Sequence, residues 1–135
     1  MFGRNTIKSD STPADNPIVR ISFDFALQIL AYVQELEQVR RFVIAQQLLR
    51  SGTSIGANVR EAQHAESRAD FVHKCKVAAK EAAETEYWLL LCKHAPSYPK
   101  PPATLFATLL DIQRLLSRII SSTKYNATGT SNDPH

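Results

Sequence analysis

The sequence lacks the features that mark membrane and secreted proteins. Its longest apolar run, residues 88–92, is far too short to cross a bilayer. The first residues lead directly into polar sequence, with no apolar segment of the kind that a secretory signal peptide carries. We therefore expect a cytoplasmic protein with no membrane segment.

Cysteine and glycine are also scarce. The two cysteines, Cys75 and Cys92, fall within one predicted helix and would lie about 25 Å apart, too far for a disulfide within one chain. Buried thiols are the expected outcome. Of the four glycines, Gly52 and Gly56 are spaced for helix packing rather than for a phosphate-binding loop.

The 135 residues have the length of a single domain with polar ends. Residues 1–17 and 123–135 are rich in Ser, Thr, Asn and Asp, so we predict a disordered tail at each end. Residues 18–122 are then the folded part, which is long enough to bury a core without disulfides or metals.

Apolar residues recur every three to four positions, which predicts four helices. The first begins after Ser22 as N-cap and ends near Gln38, with an apolar band wide enough to suggest burial on more than one side. The second covers about residues 42–65, and the third begins at Ser67 and ends before a proline-rich loop at 96–102. The fourth follows that loop.

The second and third helices have complementary seams. If they form an antiparallel hairpin, Gly52 lies level with Lys80 and near Ala78 and Ala82, so that two small-residue faces meet. The connections between the other helices are also short, which predicts that each helix is antiparallel to the next. The sequence therefore predicts an all-α fold, an up-down-up-down antiparallel four-helix bundle.

Small polar residues form a stripe on the second helix: Gln47, Ser51, Ser54, Asn58 and Glu61. Glu84 on the third helix could reach this stripe, and Arg50 is a candidate partner for a carboxylate. Small polar groups suit a closely packed neighbour that needs hydrogen bonds. A network within one bundle and an interface between subunits are equally good interpretations, and a ligand site is a distant third.

Residues 40–80 carry eight bases and three acids, a local charge of +5 against +3 for the whole chain. The candidate nucleic-acid contacts are Arg50, Arg60, Arg68, Lys76 and Lys80. Such residues would bind phosphates with salt-dependent affinity and little sequence preference. The alternative is an ordinary solvated face, partly neutralised by neighbouring acids.

Tyr87 and Trp88 face away from the seam of the third helix. A helix with two apolar faces lies deep in its own bundle or lends one face to a neighbour, and Tyr and Trp are favoured interface anchors. We interpret the pair as candidate anchors of a homo-oligomer.

Catalytic chemistry has weak support. Glu61 with His64 matches the Glu-x-x-His spacing of metal-binding bundles, and Asp70 with His73 is a loose second match, but both lie near a turn rather than at mid-bundle. We assign no catalytic residue, no metal and no cofactor, and expect a protein that is not an enzyme.

Three blocks of sequence resemble a known family. Residues 47–59 with Glu61 and Ala62, then Ser67 with Asp70 and Phe71, then residues 80–89, are similar to bacterial four-helix bundle proteins of the 23S rRNA-intervening sequence family. The similarity extends from about residue 20 to residue 122. It implies a four-helix bundle that assembles as a pentamer, with no family catalytic residues.

A related branch of that family accompanies the reverse transcriptase of diversity-generating retroelements. This implies RNA or DNA, and a protein such as a reverse transcriptase, as partners. The chain departs from that branch in its lower positive charge, and from the family in its proline-rich loop. Two hypotheses follow: an oligomeric scaffold or adaptor that is not an enzyme, and a nucleic-acid-binding accessory protein.

Overall fold

The computed structural model describes the backbone of residues 16–132 and the side chains of residues 16–123. Four helices make up this part of the chain, and no strand occurs in it. They are Pro17–Gln38 (α1), Phe42–Ala62 (α2), Arg68–His94 (α3) and Ala103–Asn132 (α4). The predicted all-α bundle of four helices is confirmed.

Helix α1 begins six residues earlier than the sequence suggested. Pro17 occupies its first turn, where a proline loses no helical hydrogen bond, and Ile18 and Val19 are buried in the core. Ser22 is not the N-cap. It lies buried inside the helix and donates its hydroxyl to the Val19 carbonyl at 3.2 Å. Core packing at residues 18 and 19 therefore extends the helix past a good capping residue.

The turn between α1 and α2 is a Schellman motif with an unusual residue at its left-handed position. The Arg41 amide donates to the Leu36 carbonyl and the Arg40 amide donates to the Glu37 carbonyl, both at 2.9 Å. Arg40 takes φ of 64°, a conformation that favours glycine. The turn thus falls where the sequence predicted it, but without the residue that usually marks it.

Helix α3 starts as predicted at Ser67. The Ser67 hydroxyl accepts a hydrogen bond from the Asp70 amide at 3.0 Å, and the Asp70 carboxylate accepts one from the Glu66 amide at 3.1 Å. These reciprocal bonds fix the entry of α3.

Each helix packs on two others, in the cyclic order α1, α2, α3, α4, and the diagonal pairs do not meet in the described part of the chain. Residue contacts show that α2 and α3 run antiparallel, because Arg50 of α2 pairs with Glu84 of α3 while Glu61 pairs with Lys74. The core between the helices is apolar and closely packed; its largest side chains include Phe25, Ile29, Tyr32, Leu36, Leu48, Ile55, Leu89 and Leu116.

Gly52 faces α1 rather than α3. A methyl group at this position would lie 2.8 Å from Ile29 Cγ1. Gly56 similarly faces the Ser22 carbonyl of α1, at 3.3 Å. The close approach at Gly52 is therefore to α1, and not to Ala78 and Ala82 of α3 as the sequence suggested, because Gly52 lies on the α1 side of its helix. The Arg50–Glu84 and Glu61–Lys74 pairs also place Gly52 level with residues 82–83 of α3, two to three residues from the predicted level at Lys80.

The proline-rich loop is held against the α1–α2 turn. The Tyr32 hydroxyl donates to the Pro99 carbonyl at 2.5 Å, Arg41 donates to the Ser97 hydroxyl at 2.8 Å, and its guanidinium lies 4.8 Å from the Tyr98 ring centroid. We call these three contacts the clasp. They fix one end of the bundle.

Helix α4 continues to Asn132, beyond the boundary at residue 122 that the sequence suggested. Its apolar seam ends near Ile120, but no proline follows until Pro134, so nothing local stops the helix. The predicted N-terminal tail falls, except for residues 16 and 17, outside the described residues.

Candidate functional site

The polar stripe of α2 lies along its seam with α3. Ser51 and Thr85 are fully buried there, with their hydroxyl oxygens 2.9 Å apart, and the Thr85 hydroxyl is also 2.8 Å from the Glu81 carbonyl. Since one hydroxyl carries one proton, Thr85 can donate to the carbonyl while Ser51 donates to Thr85. The pair is thus fully satisfied within one chain.

The other stripe residues also have partners in their own bundle. The Ser54 hydroxyl donates to the Arg50 carbonyl at 2.7 Å, and the Asn58 amide donates to the Ser54 carbonyl at 2.9 Å. Glu61 pairs with Lys74 of α3 at 2.8 Å, which raises the pKa of Lys74. Gln47 is half-buried on the same side. These contacts favour the interpretation of the stripe as a network within one bundle.

A charged cluster covers the middle of the same seam. Arg50 pairs with Glu81 at 3.2 Å and also with Glu84, and the Trp88 indole donates to Glu84 at 2.9 Å. The hydrogen bonds from Arg50 and then from Trp88 lower the pKa of the Glu84 carboxyl, and Glu84 in turn raises the pKa of Arg50. Arg50 is therefore the carboxylate partner that the sequence suggested.

The five candidate nucleic-acid contacts have different surroundings. Arg50 is neutralised by two glutamates, and Arg60 lies on the α1 side of α2, with its guanidinium 6.0 Å from the Phe23 ring centroid. Arg68 is at the start of α3. Lys76 and Lys80 are exposed one turn apart on α3, and neither has an ion pair among the described residues. A smaller basic surface on α3 is what the fold leaves.

An apolar stripe runs along the outer face of α1. Phe23, Leu27 and Leu30 recur at four and three positions on the side opposite the core, and their residues are 53%, 50% and 47% exposed. We call them the α1 stripe. The wide apolar band of this helix was predicted to be buried on more than one side, but in a single chain this part of it is open.

A second apolar surface lies on α3, at the diagonal of the bundle from α1. Tyr87, Leu90 and Leu91 are 56%, 40% and 43% exposed, and we call them the α3 patch. Trp88, the other predicted anchor, is half-buried and packs against the core, with its ring 5.2 Å from Tyr87 in an edge arrangement.

A shallow groove adjoins this patch. It has a volume of about 420 Å³ and lies between the start of α2 and the end of α3. Its lining is almost wholly apolar and consists of Ile44, Leu91, His94, Ala95 and Tyr98. No local pattern in the sequence predicts this groove, because it forms only where the loop after α3 folds back.

Three buried titratable groups in the described core have raised pKa values. Burial raises the pKa of the Cys75 and Cys92 thiols, and burial is also the main cause of the raised pKa of the Tyr32 hydroxyl. Among the described side chains no three His, Cys, Asp or Glu residues come together to bind a metal. None of the described helices is long and apolar enough to span a membrane.

Residues 14–119 match the model of the 23S rRNA-intervening sequence protein family. The chain belongs to this family. The resemblance that the three sequence blocks carry is confirmed, and the match covers α1 to α3 completely and the first half of α4.

One solved structure is similar to this bundle. A crystal structure of a protein with unknown function from the S23 ribosomal protein family of Bacteroides thetaiotaomicron is 42% identical, with a TM-score of 0.72. The similarity covers 76% of the present chain and 97% of that one. A comparison with curated proteins found no match.

Proposed function

We propose that this 23S rRNA-intervening sequence protein is a scaffold or adaptor that assembles with further copies of itself and is not an enzyme. The observation that carries the proposal is the pair of open apolar surfaces, the α1 stripe and the α3 patch. Adjacent exposed aromatic and aliphatic side chains are typical of interaction sites.

The energetic argument concerns the α1 stripe. Full burial of a Leu or Phe side chain contributes roughly 1.5–3 kcal/mol, so burial of the exposed halves of three such residues would contribute about 3 kcal/mol. In a single chain the exposed halves of Phe23, Leu27 and Leu30 stay in contact with solvent, so this free energy is not gained. The satisfied polar seam between α2 and α3, by contrast, offers little to a partner.

The mass of the purified protein across a wide concentration range tests self-association. We expect a discrete multiple of the single-chain mass in sedimentation equilibrium or light scattering. The family resemblance implies five copies. A single-chain mass up to high micromolar concentration would overturn the proposal.

Nucleic-acid binding is a second candidate function, which the unpaired Lys76 and Lys80 on α3 support. The test is RNA binding across a salt series. Phosphate contacts predict an affinity that falls steeply with salt and that weakens when both lysines are replaced by alanine. Binding with no salt dependence, or no binding at low salt, would count against it.

A further inference from the structure

We propose that copies of this chain associate head to tail, the α1 stripe of one packing antiparallel on the α3 patch of the next, with Phe23 seated in the groove beside Leu91. The proposal rests on the self-association proposed above. It adds which surfaces meet and in which direction.

The positions of the two surfaces favour this arrangement. Helices α1 and α3 are diagonal in the bundle, so the α1 stripe and the α3 patch are separate surfaces on different helices that do not touch each other. A symmetric dimer through either surface would leave the other one open on both copies. A heterologous contact uses one surface of each kind, and it produces a ring if the rotation between copies closes and an open filament if it does not.

Shape gives the second argument. Phe23 is the most exposed residue of the α1 stripe, and the groove of about 420 Å³ is the concave feature beside the α3 patch. An aromatic side chain in an apolar pocket is the usual centre of a protein interface. With Phe23 beside His94, an antiparallel α1 places Leu30 about 10 Å further along, near Tyr87.

Two charged residues give the third argument, and they determine that the two helices pack antiparallel. Glu37 lies fourteen residues after Phe23, and Lys80 lies fourteen residues before His94. In antiparallel helices these equal separations, about 21 Å, bring the two side chains together. Both are exposed, and neither forms an ion pair within the described part of its own chain. A parallel arrangement would leave Lys80 without Glu37.

The test uses two variants that each spoil one surface, Leu27→Asp on α1 and Leu91→Asp on α3. Each alone should dissociate with a dissociation constant at least tenfold higher than the wild type. Mixed together, they should form a dimer with one copy of each, because each variant keeps the surface that the other lacks. Ala107→Asp, on an exposed position of α4, is the matched control and should leave the wild-type mass unchanged.

Several outcomes would overturn the inference. If Leu27→Asp dissociates the assembly and Leu91→Asp does not, the α1 stripes meet each other instead. If the mixture stays at single-chain mass, the two surfaces do not recognise each other. Circular dichroism verifies the fold of each variant, and Leu27→Gln with Leu91→Gln repeats the mixing experiment if an aspartate variant fails to fold.

A charge exchange tests the direction independently. Glu37→Lys should raise the dissociation constant several-fold, and adding Lys80→Glu to the same chain should restore it. Failure of the second change to rescue the first would exclude the antiparallel pairing. A wild-type chain of single-chain mass would contradict the proposed function itself, whereas an assembly that resists every one of these variants would contradict this inference alone.

Discussion

Arg40 holds a backbone conformation that most residues avoid. Its φ of 64° closes the Schellman motif after α1, where glycine is the usual residue, and its side chain is exposed. We expect Arg40→Gly to raise the free energy of unfolding by about 0.5–1 kcal/mol, since relief of strain outweighs the added freedom of the unfolded chain.

Urea unfolding monitored by circular dichroism measures this effect. The matched control is Gln38→Gly, two residues earlier in the last helical turn of α1, which should lower stability by about 0.5–1 kcal/mol. Equal destabilisation by both substitutions would show that Arg40 is not strained.

Gly52 lies where α1 packs closely on α2. Gly52→Ala gains about 1 kcal/mol in helix propensity, but its methyl group would lie 2.8 Å from Cγ1 of the fully buried Ile29. Overpacking of this kind costs about 1–3 kcal/mol, so we expect a net loss of stability.

A double-mutant cycle identifies the cause. In an Ile29→Ala background the clash is absent and the same glycine substitution should stabilise the protein. An equal effect of Gly52→Ala in both backgrounds would contradict the close approach.

The sequence predicted some single residues better than others. Ser67 was recognised as an N-cap because capping depends on neighbours three residues away, and the Gly52 spacing correctly indicated a close helix approach. The identity of the approaching helix was wrong, because a small residue records that a neighbour is near and not which neighbour it is. Ser22 was misplaced for a similar reason, since the burial of Ile18 and Val19 depends on the whole core.

At the scale of paired elements, the α2–α3 seam should respond to acid. The folded-state pKa of Glu84 lies below its ordinary value of 4.5, chiefly through the hydrogen bond from Arg50. A lowered pKa means that ionised Glu84 stabilises the fold above about pH 4.5 and that this contribution is lost as the pH falls through the folded-state pKa.

Urea unfolding at neutral and at acidic pH measures this contribution. We expect Glu84→Gln to be less stable than the wild type at neutral pH and to lose less stability on acidification. Asp111→Asn, an exposed carboxylate on α4, serves as the control and should follow the wild type. A wild-type acid response in Glu84→Gln would show that the ion pair contributes nothing to folding.

The spacing of apolar residues predicted the four helices well, but it predicted poorly which residues of neighbouring helices lie side by side. Seam spacing follows from 3.6 residues per turn, so the existence of α1 to α4 could be deduced from their own residues. The shift of two to three residues between α2 and α3 could not be deduced, because the Arg50–Glu84 and Glu61–Lys74 pairs that lie along the seam involve residues common on any helix surface. The groove beside Leu91 depends on three separate segments and has no local signal.

For the whole molecule, self-association predicts a concentration-dependent melting temperature. Any partner that binds only the folded chain stabilises it by mass action. We expect the Tm of the wild type to rise with protein concentration and the Tm of Leu27→Asp to stay constant. Differential scanning calorimetry provides the measurement, and a constant wild-type Tm would contradict the assembly.

The two ends of the bundle differ, because the clasp ties down only one of them. The proline-rich loop is tied to Tyr32 and Arg41, whereas the α2–α3 turn at the opposite end is open to solvent around Gln63, His64 and Glu66. A glutamate-specific protease should therefore nick the native chain after Glu66 before it cuts elsewhere in residues 16–123. The two fragments should stay together as a two-piece bundle, because the Ser51–Thr85 seam and the clasp join α1 and α2 to α3 and α4 without needing that peptide bond.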